Sequence, residues 1–253
     1  MAEAYSVKDK FNNQQRWALG DGDDLMVSRP GSLPPKASIR LHSDCWADFD
    51  LLAAAASEAG FELCIASGYR SFDRQLAIWN SKLSGRRALL DDEGKPLSLG
   101  DLSIAEQVQA VLRFSALPGA SRHHWGSDFD VFDAASLPEG YTLQLTPQEY
   151  QAGGVQGAFG DWLDKQLSPE HGGREMAQLF CRPYCLEVGG IAVEPWHLSH
   201  RSLAADVEKT CSLALLFRRL HGADMIHRDY VLAELPALWQ RYVQPYMSGS
   251  QHE

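Results

Sequence analysis

Thirteen residues constrain this chain more than any other stretch. SRHHWGSDFDVFD, residues 121 to 133, holds two histidines, one glycine and three aspartates. Side chains alternate along a strand, so an extended 121–123 puts Ser121 and His123 on one face. Gly126 permits a turn. After it the alternation resumes, with Phe129 and Val131 on one side and Asp128 and Asp130 on the other. His123 and one of these aspartates can therefore converge on one point.

A catalytic zinc takes three nitrogen or carboxylate ligands and keeps a fourth position for water. The opening stretch supplies two. The third ligand should be another histidine, with a carboxylate nearby to take the water's proton, and EPWH (194 to 197) offers both in Glu194 and His197. The run GGIAVEPWH (189 to 197) reads as a buried strand. Pro195 cannot extend a sheet ladder, so the strand should break there and turn Glu194 and His197 toward one site. SGYRS (67 to 71) adds Arg70, directly before the helix cap Ser71 and followed by Gln75 in the first turn. That places a guanidinium near the positive end of a helix dipole, suited to gripping an anionic group.

Taken singly, each piece has a plainer reading: a solvated strand face, a surface arginine, a structural histidine. Their conjunction in this order describes a zinc hydrolase for a peptide-like substrate with a carboxylate near the scissile bond. Trp125 and Trp196 flank the ligand candidates, and core packing is expected for at least one. His124 is expected on the opposite strand face.

The frame around these pieces predicts an α+β fold, with strands interspersed irregularly among helices. Residues 1–43 read as an irregular N-terminal arm ending in SRPGSLPPKAS. Residues 44–202 read as the peptidase domain, and 203–253 as a helical C-terminal extension packed on it. A helix from about Ser43 stops at Gly60, and FELCIAS (61 to 67) is a buried strand. Ser71 caps a helix ending at Gly85. RRALLDDEGKPLSLGD is a loop with a turn at Asp92 to Gly94. Ser103 and Glu106 form a capping box for a helix running to Pro118-Gly119. Pro147 starts a short helix in LTPQEY, and FGDWLDKQL is amphipathic.

At 253 residues and 45% apolar, the chain can bury a sizeable core. A net charge of −10 argues against nucleic acid as partner. No run approaches ~18 apolar residues, so no transmembrane helix is expected. The N-terminus lacks the basic-then-apolar pattern of a secretory signal. As written the sequence predicts a cytoplasmic chain, or one of the periplasm or cell envelope where a leader has been removed. Cys45, Cys64, Cys181, Cys185 and Cys211 form an odd, sparse set that reads as buried free thiols.

SGYRSFDRQ, SRHHWGSDFD and EPWH together resemble the motifs of VanY-type zinc D-alanyl-D-alanine carboxypeptidases, related to the lysostaphin and Hedgehog fold group. The likeness spans roughly residues 44 to 202. It implies a compact α+β domain with a small antiparallel sheet carrying the metal site. It implies His123, Asp130 and His197 as zinc ligands and Glu194 as general base and later acid. Arg70 is implied to bind substrate or stabilise the developing oxyanion, and Gln75 and Ser121 to touch substrate. Tyr69, Asp128 and Trp196 are secondary candidates.

One position departs from the family pattern, which carries alanine where this chain has Asp128. That carboxylate is expected to orient a ligand histidine, to bias the pocket toward a cationic group, to bond nearby backbone, or to compete as the ligand. The resemblance implies peptidoglycan stem peptides or muropeptides as substrate, with removal of a terminal D-alanine. Two alternatives stand beside it: a lysin-like endopeptidase using the same site, and a non-catalytic zinc-stabilised binding module. Retention of Glu194 and Arg70 argues against the last.

Overall fold

The caps read from the sequence fix the central helices. Ser71 Oγ accepts from the Arg74 N–H, and Ser103 and Glu106 close a reciprocal capping box. In the computed structural model, which describes residues 11–31, 38–171 and 173–247, the chain runs α1 (Asn13–Leu19), β1 (Met26–Pro30), β2 (Ser38–His42), α2 (Cys45–Glu58), β3 (Leu63–Ser67), α3 (Phe72–Leu83), β4 (Leu89–Leu90), β5 (Pro96–Leu97) and α4 (Ile104–Arg113). It continues with β6 (Asp128–Asp133), α5 (Pro147–Tyr150), α6 (Gly157–Gln166), α7 (Arg174–Leu179), β7 (Phe180–Cys181), β8 (His197–His200), α8 (Arg201–Glu208), α9 (Leu213–His221), α10 (Arg228–Ala233) and α11 (Leu235–Tyr242). This is the α+β architecture expected.

A four-stranded antiparallel sheet in the order β3-β6-β8-β7 is the centre. Its apolar face carries Ile65, Phe129, Val131 and Leu198, packed with Trp46, Phe49 and Leu52 of α2, Phe159 and Leu163 of α6, and Met176 of α7. A second core joins α3 and α4 to α9, α10 and α11 through Trp79, Val108, Leu112, Leu220, Val231 and Leu238. The period-2 pattern of β6 explains the division. Apolar residues 129 and 131 enter the first core, which leaves 128 and 130 facing the other way.

Several elements differ from the sequence expectation. The N-terminal arm, expected irregular, contains α1 and an antiparallel hairpin of β1 and β2. Asn12 caps α1 in a capping box with Gln15, and Gly20 ends it in the left-handed region. Trp17 Nε1 donates to Trp125 O at 2.8 Å and Trp125 Nε1 to Ala18 O at 3.2 Å, so the arm clamps the central motif. Most of SRPGSLPPKAS, residues 32–37, lies outside the described residues.

The strand expected over 189–197 does not form. β6 is flanked by β3 and β8, and residues 189–196 join neither edge strand of this sheet. Ile191 instead buries in the helical core, and the backbone is held by Ala192 N–H to Arg113 O and Glu194 N–H to Tyr184 O, both 2.9 Å. Strand β8 starts at His197, after Pro195 rather than before it. Helix α4 ends at Arg113, short of Pro118, because Ser115 and Ala116 turn aside to accept from Gln75. The five cysteines are free, but only Cys45 and Cys64 are buried; Cys181 and Cys211 are half-buried and Cys185 is exposed. No helix among the described residues is long and apolar enough to cross a membrane.

Gly126 is the tightest backbone constraint beside the central motif. Its φ is +70°, and a Cβ there would strike Met26 Sδ and come within 2.9 Å of His42 N. Gly126→Ala is therefore expected to destabilise the fold by more than the ~1–2 kcal/mol of a left-handed non-glycine residue. Urea unfolding would read this as a lower midpoint at unchanged slope; an unchanged midpoint would contradict it.

Candidate metal centre

The cross-strand register brings the two central ligand candidates together. Asp130 of β6 sits directly opposite His197 of β8, and directly opposed residues project from the same sheet face. Asp130 Oδ1 lies 3.2 Å from His197 Nδ1, and Asp130 Oδ2 lies 3.5 Å from His123 Nε2. The ligand atoms of the three residues all fall within 4.8 Å of one another, and all three are buried.

His123 arrives by a different route from the one expected. Residues 122–125 form a 3-10 turn, not an extended strand. Gly126 closes this turn in the left-handed region, so His123 still faces the sheet without strand alternation. Its Nδ1 stands 3.0 Å from Gly68 O, which leaves Nε2 for the site. The Arg70 N–H donates to His123 O at 2.9 Å, tying the 68–71 loop to the turn. His124 points away, as expected. It bridges Arg70 O (2.6 Å from Nδ1) and the Gly119 N–H (2.9 Å from Nε2), a structural clamp. Burial, with the Arg70 and His197 charges, depresses the His123 pKa to about 3 despite Asp130.

Asp128 is wholly buried and touches no open space. Its Oδ1 lies 3.1 Å from His197 Nε2 and accepts from Arg122 Nε at 2.7 Å. Its Oδ2 accepts from Ser127 Oγ (2.6 Å) and Ser199 Oγ (3.2 Å). Of the alternatives open at this position, the geometry matches the orienting one, and the Asp128 carboxylate faces the far side of the His197 ring. Burial opposes the charge on Asp128, but Arg122 and these hydrogen bonds outweigh it and depress its pKa. Burial likewise opposes a charge on His197, yet Asp128, Asp130 and Glu194 together raise its pKa.

A cation fits here on one direct observation. Asp130 Oδ1 and His197 Nδ1 are both buried and, though 3.2 Å apart, make no well-aligned hydrogen bond to each other or to any other group, a state native proteins rarely leave unexplained. Both face the point shared with His123 Nε2. The donor set of two imidazoles and one carboxylate suits zinc and leaves a fourth position free.

Glu194 and Arg70 border this point. Glu194 Oε2 is 3.4 Å from His197 Nδ1, the two being joined by a turn in which the His197 N–H donates to Glu194 O at 3.1 Å. Burial raises the Glu194 pKa, with Asp130 adding to it and His197 and Arg70 opposing. Arg70 is held by Gln75 Oε1 (2.9 Å) and Ser67 Oγ (3.2 Å). Gln75, expected to touch substrate, has no exposed surface. Its Nε2 donates to Ser115 Oγ and Ala116 O while its Oε1 accepts from Arg70, so it positions the arginine instead. A helical first-turn residue points back toward the preceding loop, a direction that spacing alone does not give.

His123, Asp130, Glu194 and His197 open into a cleft of about 1080 Å³, which Ser121, Tyr69, Arg70 and Trp196 also line. Tyr69 donates to Gly20 O at 3.2 Å, and Trp196 packs on Tyr150 at 5.5 Å, so both are wall as well as core. Trp125 is core. Sequence reasoning missed Arg122, which sits inside the motif but carries no spacing signal of its own.

Comparison with known proteins matches the part of the chain that carries these residues. A family model described as VanY, D-alanyl-D-alanine carboxypeptidase, matches residues 38–203. A Haemophilus influenzae protein described as uncharacterized is 31% identical over 129 residues, half of this chain and 92% of that one. Two solved structures align at low identity. A variant of the vancomycin resistance D,D-pentapeptidase VanY in complex with Zn(II) has 20% identity, covers 77% of this chain and 93% of its own, and has a TM-score of 0.43. The LdcB LD-carboxypeptidase has 18% identity, covers 77% and 78%, and has a TM-score of 0.47.

Proposed function

The chain belongs to the VanY family of D-alanyl-D-alanine carboxypeptidases, and on that premise we propose that it is a zinc-dependent carboxypeptidase removing the terminal D-alanine from peptidoglycan stem peptides. The observation that carries this reading is the in-register Asp130–His197 pair, whose buried Oδ1 and Nδ1 make no well-aligned hydrogen bond and stand beside His123 and Glu194.

His123 Nε2, Asp130 and His197 Nδ1 would hold the metal. Bound zinc supplies Lewis acidity for the scissile carbonyl and makes water acidic near pH 7. Glu194 takes the proton of the attacking water at its carboxylate and returns it to the departing amine. Its raised pKa makes this carboxylate a better proton acceptor than an ordinary glutamate, which serves the first half of that exchange. Arg70, preset by Gln75 and Ser67, offers a fixed guanidinium to the developing negative charge or to the terminal carboxylate. Gly68 O and Asp128 fix the two imidazole rings from outside the site.

A defined pentapeptide stem ending in D-Ala-D-Ala, incubated with and without a zinc chelator, tests the reading by mass. Chelator-sensitive loss of one alanine is the expected result. Cleavage elsewhere in the stem would assign an endopeptidase with the same residues. No cleavage by protein that carries stoichiometric zinc would overturn the substrate.

A further inference from the structure

The segment that delivers Glu194 belongs to no strand or helix. Between β7 and β8 the chain is irregular, so neither a sheet ladder nor a helical turn fixes where this carboxylate stands. Hydrogen bonds from other parts of the chain hold residues 189–194 instead. Besides the bonds of Ala192 and Glu194 to Arg113 O and Tyr184 O, Arg113 Nη1 donates to Gly190 O at 3.2 Å. Arg241 Nε donates to Gly189 O at 2.6 Å, and the Tyr246 hydroxyl to Ile191 O at 3.2 Å.

Two of these donors lie beyond residue 203, where the family match ends. Arg241 is near the end of α11, and Tyr246 closes the 3-10 turn Gln244–Tyr246 that follows it. Tyr246 is buried, and it reaches Glu194 by two routes. Its hydroxyl holds Ile191, three residues upstream. Its ring packs on Tyr184 with centroids 4.9 Å apart. Tyr184 in turn accepts the Glu194 N–H on its carbonyl and sets its ring 4.7 Å from that of His197. The approach is close: a Cβ on Gly190 would strike Arg241 O and come within 2.6 Å of Tyr246 Oη.

The metal ligands are held differently. Asp130 and His197 are in register on β6 and β8, and His123 Nδ1 stands against Gly68 O. Among the described residues, none after His197 lines the cleft, so the C-terminal extension puts no group of its own before the substrate.

We propose that Tyr246 is a positioning residue for Glu194: the sheet sets where the metal ligands stand, and the C-terminal turn sets where the proton acceptor stands. This rests on the proposed peptidase reading, in which Glu194 handles the proton of the attacking water.

Tyr246→Phe keeps the ring on Tyr184 and removes only the donor to Ile191 O, so the variant is expected to fold. Its kcat on a stem pentapeptide should fall about tenfold, short of the ~10²-fold that a full 1 Å misplacement can cost. KM and zinc affinity, the latter read by competitive titration, should stay unchanged. Amide hydrogen exchange, read by mass spectrometry, should quicken across residues 189–197 and not elsewhere. Gly190→Ala should act in the same direction and further, because it displaces the segment with Tyr246 intact. Val231→Ala, a cavity in the same helical core on α10, should lower the melting temperature and leave kcat unchanged.

An unchanged kcat in Tyr246→Phe overturns the proposal. So does an equal loss in Val231→Ala at a matched melting temperature, which would make Tyr246 a contributor to stability alone. Weakened zinc binding in Tyr246→Phe would move its effect to His197 and overturn the assignment to Glu194. Should the parent protein cleave no stem peptide, the peptidase reading falls by itself and exchange decides the anchoring. Faster exchange confined to residues 189–197 would uphold it, and unchanged exchange would overturn it.

Discussion

Glu194→Gln is expected to leave zinc content and fold intact while lowering kcat about 10²–10⁴-fold, the usual worth of a positioned proton-transfer group. Glutamine keeps the size and the hydrogen-bonding reach of the side chain but cannot accept a proton. The surroundings give little reason for the backbone to move, because the Glu194 N–H donates to Tyr184 O and its carbonyl accepts from the His197 N–H. The three atoms that converge on the cation position belong to His123, Asp130 and His197, not to Glu194. Metal analysis of the purified variant and its rate on a stem pentapeptide separate the outcomes. Retained turnover would remove Glu194 from the proton pathway. Lost zinc at unchanged fold would instead move Glu194 into the ligand set.

The legible part of this site was the part written as short-range periodicity. Alternation in SDFDVF placed Asp128 and Asp130 on one face, whereas Glu194 and His197 meet through a turn before β8 and not through a strand broken at Pro195. Ser71, Ser103, Gly60 and Pro147 marked helix ends correctly, because a capping side chain acts on backbone groups within three residues. What failed depended on competition for partners. An apolar run such as GGIAV reads as a strand, but here Ile191 is taken up by the helical core and Ala192 N–H by Arg113 O, contacts that local pattern does not announce. The 121–123 segment looked extended, yet the N-terminal arm packs its Trp17 and Ala18 against Trp125 and winds that segment into a 3-10 turn. The short α1 itself was announced by Asn12, Gln15 and Gly20, a box and a stop that the polar composition of the arm obscured.

Gln75 and Arg122 were beyond local pattern for a related reason. Each acts through a guanidinium or a carboxylate delivered by another element. Gln75 reaches across to Ser115 and Ala116, forty residues away, and its contact with Arg70 depends on where that loop lies. Arg122 gathers partners from β6, β8, α8 and the C-terminal turn.

That gathering makes Arg122→Met the substitution expected to cost most in stability. Nε donates to Asp128 Oδ1 at 2.7 Å, Nη1 to Glu208 Oε1 and Tyr246 O at 2.8 Å each, and Nη2 to Ser199 Oγ at 2.7 Å. The guanidinium also stands 4.5 Å from the centre of the Trp125 ring. Methionine fills most of the volume but leaves Asp128 as a buried charge without its cation. Breaking such a pair costs about 3–5 kcal/mol, a large share of the ~5–15 kcal/mol that holds a typical domain. For a chain of this size the melting temperature should fall by about 6–20 °C.

The pH dependence gives a second signature. Arg122 and the hydrogen bonds to Asp128 hold its folded pKa below the ordinary carboxylate value, so the stability it contributes is present above that ordinary value and is lost only as pH falls through the depressed one. Without Arg122 the variant should lose stability at a higher pH than the parent. The metal provides a third readout. Asp128 would no longer be fixed against His197 Nε2, and the loss of such an orienting contact weakens metal binding about 10–100-fold. Arg122→Lys keeps a charge but not the planar fork, so it should fall between the two. Thermal melts across pH and a competitive zinc titration on the three proteins would decide the matter. Equal melting temperatures and equal zinc affinity would mean that the C-terminal turn and the metal centre are not joined through this residue.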